Sequence, residues 1–401
     1  MREASAREKD IAYPPLPGAS YRETQVKPLL AEGCYFLAFG QIDRASTVGT
    51  LRVTSEAGQL FVSGDLYDNS PDAAAPEVGR LPPPGAGIPI FAMGNYSHYV
   101  RATTVEPADG GGFILTFDAH LFIAQVHQPL DGSLASHWRF EATYTAHMLP
   151  AETPPGYLRP DLFFVGDVAR ADGSMIGRMQ IGWVAPALRR ALVEIDRVVG
   201  CEAPEDNGAG VSWKSVFDPI GWDVTTVVGK DVVTKQNDSP WTEHDAREAL
   251  ATHRDRDDLD IQWRYHILVV PLMAPVNSNF GFMYDRDLRP REDLYVSSHF
   301  VFPDEQKWGS LRGSRTGQTV AFFRTAMHEM GHEMGLSHNL RGFCFMRPTE
   351  EIAAQAPAEQ PFPSNIVWSF DPADELRLRH WPDIAVRPGG IDMGRAQPAT
   401  D

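Results

Sequence analysis

Cysteine is scarce in this chain: three in 401 residues, Cys34, Cys201 and Cys344. So few, so scattered, exclude a disulfide framework and point to reduced, mostly buried thiols. A Cys201–Cys344 bridge stays open, since both lie in the same half. Long apolar runs are missing as well. No stretch approaches the roughly 20 residues that cross a bilayer, so no membrane span is expected. The opening MREASAREKD is polar and lacks the apolar segment of a secretory signal. A cytoplasmic location is therefore the default expectation, with export by a non-classical route or a trimmed chain left open. Positive charge is in deficit, with 36 Lys and Arg against 53 Asp and Glu and a formal net charge of −17. That disfavours nucleic acid, whose binding depends on neutralising phosphates, and gives no sign of attraction to anionic membranes. No internal repeat, EF-hand loop or calcium-binding nonapeptide is present.

What is there suffices for two cores: 401 residues, 43% of them hydrophobic. Residues 1–20 carry Pro14, Pro15 and Pro17 and read as an extended arm. From Cys34 to about Val184 the pattern is strand-like, in segments such as CYFLAFG, QLFVSGDLY and FILTFDAHLFIAQVH. Asp109-Gly110, Asp131-Gly132 and Asp172-Gly173 are turn signals between them, and Asn69–Gly87 is a long loop rich in proline and alanine. The pattern fits an antiparallel β-sandwich or barrel of roughly eight strands, and a sandwich-like domain over residues 1–180 is the expectation. His98, His120 and His127 fall there without a convincing partner pattern and read as surface or satisfied core histidines.

The character changes near Trp183. Val184, Leu188, Leu192, Ile195 and Val199 are spaced for an amphipathic helix, with Pro186 near its start and Gly200 at its end. A strand candidate follows at Gly221–Val228, then a charged helix over about Trp241–Arg254. YHILVVPLM is a continuous apolar run and so a central buried strand. FGFMYD and LYVSSHFVF are two more strands, and another helix starts near Gly317. Asp371-Pro372 is an N-cap and N1 pair for a last helix ending at Pro382. Residues 388–401 read as a frayed tail.

The last of the central helices carries the chemistry. Residues 328–338 read HEMGHEMGLSH and fit H-E-x-x-H-x-x-G-x-x-H at every fixed position. His328 and His332 are four apart, share a helix face and can hold one ion together. Gly335 accepts positive φ, so it can end the helix and turn the chain until His338 approaches from another direction. Three neutral imidazoles leave a fourth position of a zinc ion open for water. Zinc would lower the pKa of that water and polarise a carbonyl. Glu329, adjacent to the first ligand, would take the proton and deliver it to the leaving amine. Phe323, Met327, Met330 and Met334 recur at helical spacing and read as a core stripe. Met346 follows His338 by eight residues, within Cys344-Phe345-Met346-Arg347-Pro348.

This region resembles the metzincin clan of zinc endopeptidases, whose signature is this histidine motif followed by a methionine turn. The short gap to Met346 is most similar to the matrixin branch, and Pro348 stands where other branches place a tyrosine ligand. The resemblance spans roughly residues 181–385. It implies His328, His332 and His338 as zinc ligands, Glu329 as general base and Met346 beneath the metal without ligating it. It implies a metzincin-like α/β catalytic domain over residues 181–387, with a mixed sheet and an active-site helix. Phe280–Tyr284 would be the edge strand that binds substrate backbone, and about Pro348–Trp368 a wall of the primed-side pocket. His299 is a weak candidate for a second structural zinc. Cys34 sits in EGCYFLAFG, which does not match the cysteine switch of matrixin propeptides.

The expected fold class is thus α+β, with a sandwich-like first domain and a metzincin-like second. The expected function is zinc-dependent hydrolysis of a protein or peptide substrate. A non-catalytic zinc-containing scaffold and a zinc hydrolase of a non-protein amide are the alternatives. Calcium (Ca2+) is a lesser expectation at Asp255, Asp257, Asp258 and Asp260, or at Asp285 and Asp287. Tyr284 or Tyr295 would be available to an oxyanion. The β region would select substrates or hold the enzyme latent.

Overall fold

The computed structural model describes residues 29–42, 46–56, 58–68, 87–123, 137–153, 159–233, 239–254, 262–275, 280–284, 291 and 293–391. The calcium candidates, His127, the arm at residues 1–20 and most of the 388–401 tail lie outside them.

The first half is a barrel. Its strands are β1 (Gly33–Gln41), β2 (Thr47–Glu56), β3 (Gln59–Asp68), β4 (Tyr96–Pro107), β5 (Phe113–Phe122), β6 (Trp138–Pro150), β7 (Phe163–Arg170) and β8 (Met175–Ala185). Each pairs with the next, and β8 returns to pair antiparallel with β1 from Cys34↔Ala185 to Gln41↔Gly177. Gly177 is needed at this seam, because a Cβ there would lie 2.2 Å from the Gly40 carbonyl oxygen. Alternation fills the interior: Phe113, Leu115, Phe117 and Ala119 of β5 point inward and their neighbours do not. Tyr35, Leu37, Leu51, Val53, Met148, Val168 and Ile181 complete that core.

The second half is a five-stranded sheet. Its strands are β9 (Arg189–Val198), β10 (Trp222–Val233), β11 (Arg264–Val270), β12 (Gly281–Tyr284) and β13 (Asp293–Ser297), in the order β10-β9-β11-β13-β12. Only β12 runs antiparallel to its neighbour. The helices are α1 (Trp213–Phe217), α2 (Glu243–His253), α3 (Val320–Glu333), α4 (Thr349–Ala354), α5 (Pro372–His380) and α6 (Asp383–Val386). α3 packs through Phe322, Phe323, Met327 and Met330 on one face of the sheet, against Val193, Ile195, Ile267, Leu294 and Val296. The opposite face carries Leu268, Val270 and Tyr295 against Ala246 and Ala249 of α2. None of these helices is long and apolar enough to cross a membrane.

This architecture corrects the expected fold class in both halves. Closure of β8 onto β1 makes a barrel, not a sandwich, and removes the two open edges a sandwich would leave. The described residues are 41% strand and 23% helical, with a small mixed sheet in place of the metzincin-like α/β domain that the motif implied. One cause is specific. The helix expected over Val184–Val199 is instead the end of β8, a turn at Pro186, and β9. Ala191, Val193 and Ile195 alternate on a strand buried on both faces, and that two-residue period prevails over the four-residue one. The boundary expected at 180/181 falls inside β8.

The halves meet over buried charge. Arg52 of β2 pairs with Asp65 at 2.5 Å and with Asp383 of α6 at 2.9 Å, and Arg189 of β9 approaches Asp383 at 3.2 Å. Tyr96 Oη donates to Asp65 at 2.6 Å and Tyr67 Oη to Asp383 at 2.9 Å. Burial works against the Asp383 charge, but Arg52 and Arg189 outweigh it and hold its carboxyl below the usual range.

Candidate metal centre

α3 brings His328 and His332 to one face, and a glycine turn brings His338 to meet them. Gly335 has φ +83°. The Leu336 N–H donates to Gly331 O at 2.9 Å and the Gly335 N–H to His332 O at 2.8 Å, a Schellman closure of the helix. A Cβ on Gly335 would stand 2.5 Å from the Ala385 carbonyl oxygen. Arg291, itself buried, donates to Glu333 O at 2.7 Å and so satisfies the helix terminus.

The ring nitrogens converge. One donor atom from each of His328, His332 and His338 lies within 4.8 Å of the others. His328 Nδ1 bonds Phe345 O at 2.6 Å and His332 Nδ1 bonds Leu336 O at 2.7 Å. Those carbonyls can only accept, so each Nδ1 carries the proton and each Nε2 presents its lone pair. His328 Nε2 and His338 Nε2 are 3.1 Å apart. Two nitrogens bound tetrahedrally to one zinc at about 2.0–2.1 Å would be about 3.3 Å apart. The donor set therefore fits zinc. Burial pushes the His328 imidazole well below its ordinary pKa and His332 down to about 4, with neighbouring charge adding to it. His338 is lowered for the same first reason. Each shift favours the neutral imidazole that ligation requires.

Glu329 is buried on the same helix and faces β12. Its Cγ lies 2.8 Å from where a Cβ on Gly281 would stand. Burial pushes its carboxyl up to about 8; Arg324 and the Met283 backbone N–H oppose that rise. The strand expected at Phe280–Tyr284 is β12, the last in the sheet order. Met346 is fully buried, and a Cβ on Gly331 would meet its Sδ at 2.2 Å, so the thioether sits against the helix turn between His328 and His332.

Arg324 was not singled out by sequence reasoning. It is fully buried one turn before His328, donating to Phe345 O at 2.8 Å, to Arg347 O and to Thr349 Oγ1. It staples α3 to the methionine turn. A mid-helix arginine in an apolar stripe was the available signal.

Other candidates are not brought together with the triad. His299 Nε2 lies 3.3 Å from Gly200 O, and the residue is half-buried. The Tyr295 side chain packs on the α2 face of the sheet, away from α3, which corrects its proposed oxyanion role; the Tyr284 side chain lies outside the described residues. All three cysteines are free and buried, so the Cys201–Cys344 bridge is not formed. Burial pushes the Cys34 thiol up to about 12, which makes it a poor ligand. His98 has a carboxylate partner after all, Glu141 Oε2 at 3.0 Å. A second cluster, Glu194, Asp196 and His266, lies on β9 and β11. His266 Nε2 bonds Asp196 at 3.0 Å and the Arg264 guanidinium pairs with Glu194 at 3.1 Å. An arginine already supplies the cation there, and the group reads as a buried ion-pair network.

Compared with protein-family models and with curated proteins, the chain matches none.

Proposed function

We propose that this protein is a zinc-dependent endopeptidase, with His328, His332 and His338 as the metal ligands and Glu329 as the general base. One observation carries the reading. Three imidazole donors converge, two with their far nitrogens locked by carbonyls, beside a buried carboxylate. A purely structural zinc site closes its coordination sphere and has no use for that carboxylate. When bound, zinc supplies a Lewis acid that lowers the pKa of water and polarises the scissile carbonyl.

The side chains do the rest. Glu329 takes the proton of the attacking water and passes it to the leaving amine. Met283 N–H and Arg324 steady its charged form. β12 offers a strand edge beside Glu329, which suits an extended peptide and favours a protein or peptide substrate over a small amide. Met346 shapes the floor of the site and carries no bond to the metal. The motif's resemblance to metzincins supports the same chemistry, independently of the fold.

The test is cleavage of an unfolded protein substrate by wild type and Glu329→Gln. The amide cannot accept the proton, so the rate should fall about 100- to 10,000-fold, with zinc content and far-UV circular dichroism unchanged. A wild-type rate in Glu329→Gln would exclude Glu329 as the base.

A further inference from the structure

Between the barrel wall and α5 lies a cleft of about 640 Å3 that the hydrolysis does not use. That volume is in the range of ligand pockets. Phe61 of β3, Leu376 of α5 and Trp381 line it with apolar surface, Arg101 of β4 and Arg377 of α5 line it with guanidinium donors, and His120 of β5 adds an imidazole whose pKa burial lowers. Two observations point to what it would hold. His120 is buried, and its Nε2 has no hydrogen-bond partner among the described residues. The Arg377 guanidinium stacks on Trp381 at 5.3 Å and gives one nitrogen to Asp374 at 2.9 Å; its other nitrogens make no hydrogen bond among the described residues. Among the described residues the one carboxylate on the wall, Asp118, is already accepting from Thr143 Oγ1 at 2.5 Å.

The electrostatics agree. His380, which also lines the cleft, is pushed well below its ordinary pKa by burial and then by Arg52, Arg189, Arg379 and Arg101. Two guanidiniums, of Arg101 and Arg377, and one carboxylate, of Asp118, line the cleft among the described residues, in a chain whose net charge is −17. Overall charge would repel an acidic ligand, and the lining selects one.

We propose that this cleft binds an acidic peptide segment, carboxylates alternating with apolar side chains, and so engages protein substrates at a distance from the histidine triad. The carboxylates face His120 and Arg377, and the apolar side chains face Phe61, Leu376 and Trp381. That this segment belongs to a substrate rests on the peptidase reading; the binding itself does not.

The experiment uses the full chain as Glu329→Gln, which prevents cleavage, and fluorescence anisotropy with fluorescein-labelled peptides of alternating Glu and Leu, or of alternating Gln and Leu. The variant is Thr103→Glu, on the barrel wall of the cleft. Arg377 is a poorer choice because it touches Asp374, which accepts from Asn339 beside His338. Thr103 is exposed and gives up only a hydrogen bond to Thr116 O. The Glu/Leu peptide should bind at least about tenfold more tightly than the Gln/Leu peptide, and Thr103→Glu should weaken it by about tenfold or more. Equal affinity for the two peptides, no binding of the Glu/Leu peptide, or unchanged affinity in Thr103→Glu would overturn the proposal. The readout needs neither zinc nor turnover, so its failure leaves the peptidase reading standing, and loss of zinc or activity leaves the cleft untouched.

Discussion

Gly281 sets how closely β12 approaches Glu329, the proposed general base. A Cβ there would lie 2.8 Å from Glu329 Cγ, 2.9 Å from Thr325 Cγ2 and 3.0 Å from the Tyr295 carbonyl oxygen. The last is backbone and cannot swing away, so Gly281→Ala should push Glu329 off its position. The turnover number for a peptide should fall about 10- to 100-fold, with zinc content unchanged in metal analysis. Wild-type turnover would show that the strand and the carboxylate are not in register as described. The proposed ligands and base were legible in the sequence because residue identity and spacing within one short segment, His328 to His338, single them out. Gly281 and Arg324 were not, because each matters through a contact made across the fold.

The element that matters most is the end of α3. Its Schellman closure points His338 back toward the helix, and Gly335 at φ +83° makes it. Gly335→Ala meets both an unfavourable backbone conformation and the Ala385 carbonyl oxygen at 2.5 Å. It should cost about 1–3 kcal/mol in denaturant unfolding and speed zinc release to a chelator. Unchanged stability and unchanged release would mean that this turn does not hold His338. Sequence reading expected this turn from glycine's tolerance of positive φ. It also placed α2, β11 and α5, whose capping residues or unbroken apolar run are local signals. Thr242 caps α2 and Asp371 caps α5 through their side chains. β9 reads as a helix in the sequence because Leu188, Leu192, Ile195 and Val199 also recur at helical spacing, and that period competes with the alternation of Ala191, Val193 and Ile195. Barrel closure was equally hidden: β1 and β8 are far apart in the chain, and nothing local records that they pair.

At the scale of the molecule, barrel and second sheet are joined by the Arg52, Asp65, Asp383 and Arg189 cluster and by His380. Thr54 Oγ1 lies 2.8 Å from His380 Nε2 and Ser63 Oγ lies 2.9 Å from its Nδ1. Burial and four guanidiniums, of Arg52 on β2, Arg189 on β9, Arg379 on α5 and Arg101 on β4, hold it neutral. Its folded pKa is below the unfolded value of about 6.5. Below that pH the unfolded chain takes up the proton first. The stabilisation is complete above about pH 6.5 and is lost as pH falls through the folded value. The denaturant midpoint should therefore drop between pH 7 and pH 5, and drop less in His380→Gln. Equal drops would mean that His380 does not carry this acid sensitivity.

The central claim is that three histidines hold one catalytic zinc, and metal analysis tests it most directly. Protein purified without chelators should contain about one zinc per chain, with nitrogen ligands at about 2.0–2.1 Å by X-ray absorption, and His332→Ala should contain almost none. Wild-type protein that carries no zinc and takes up none on addition would contradict the account.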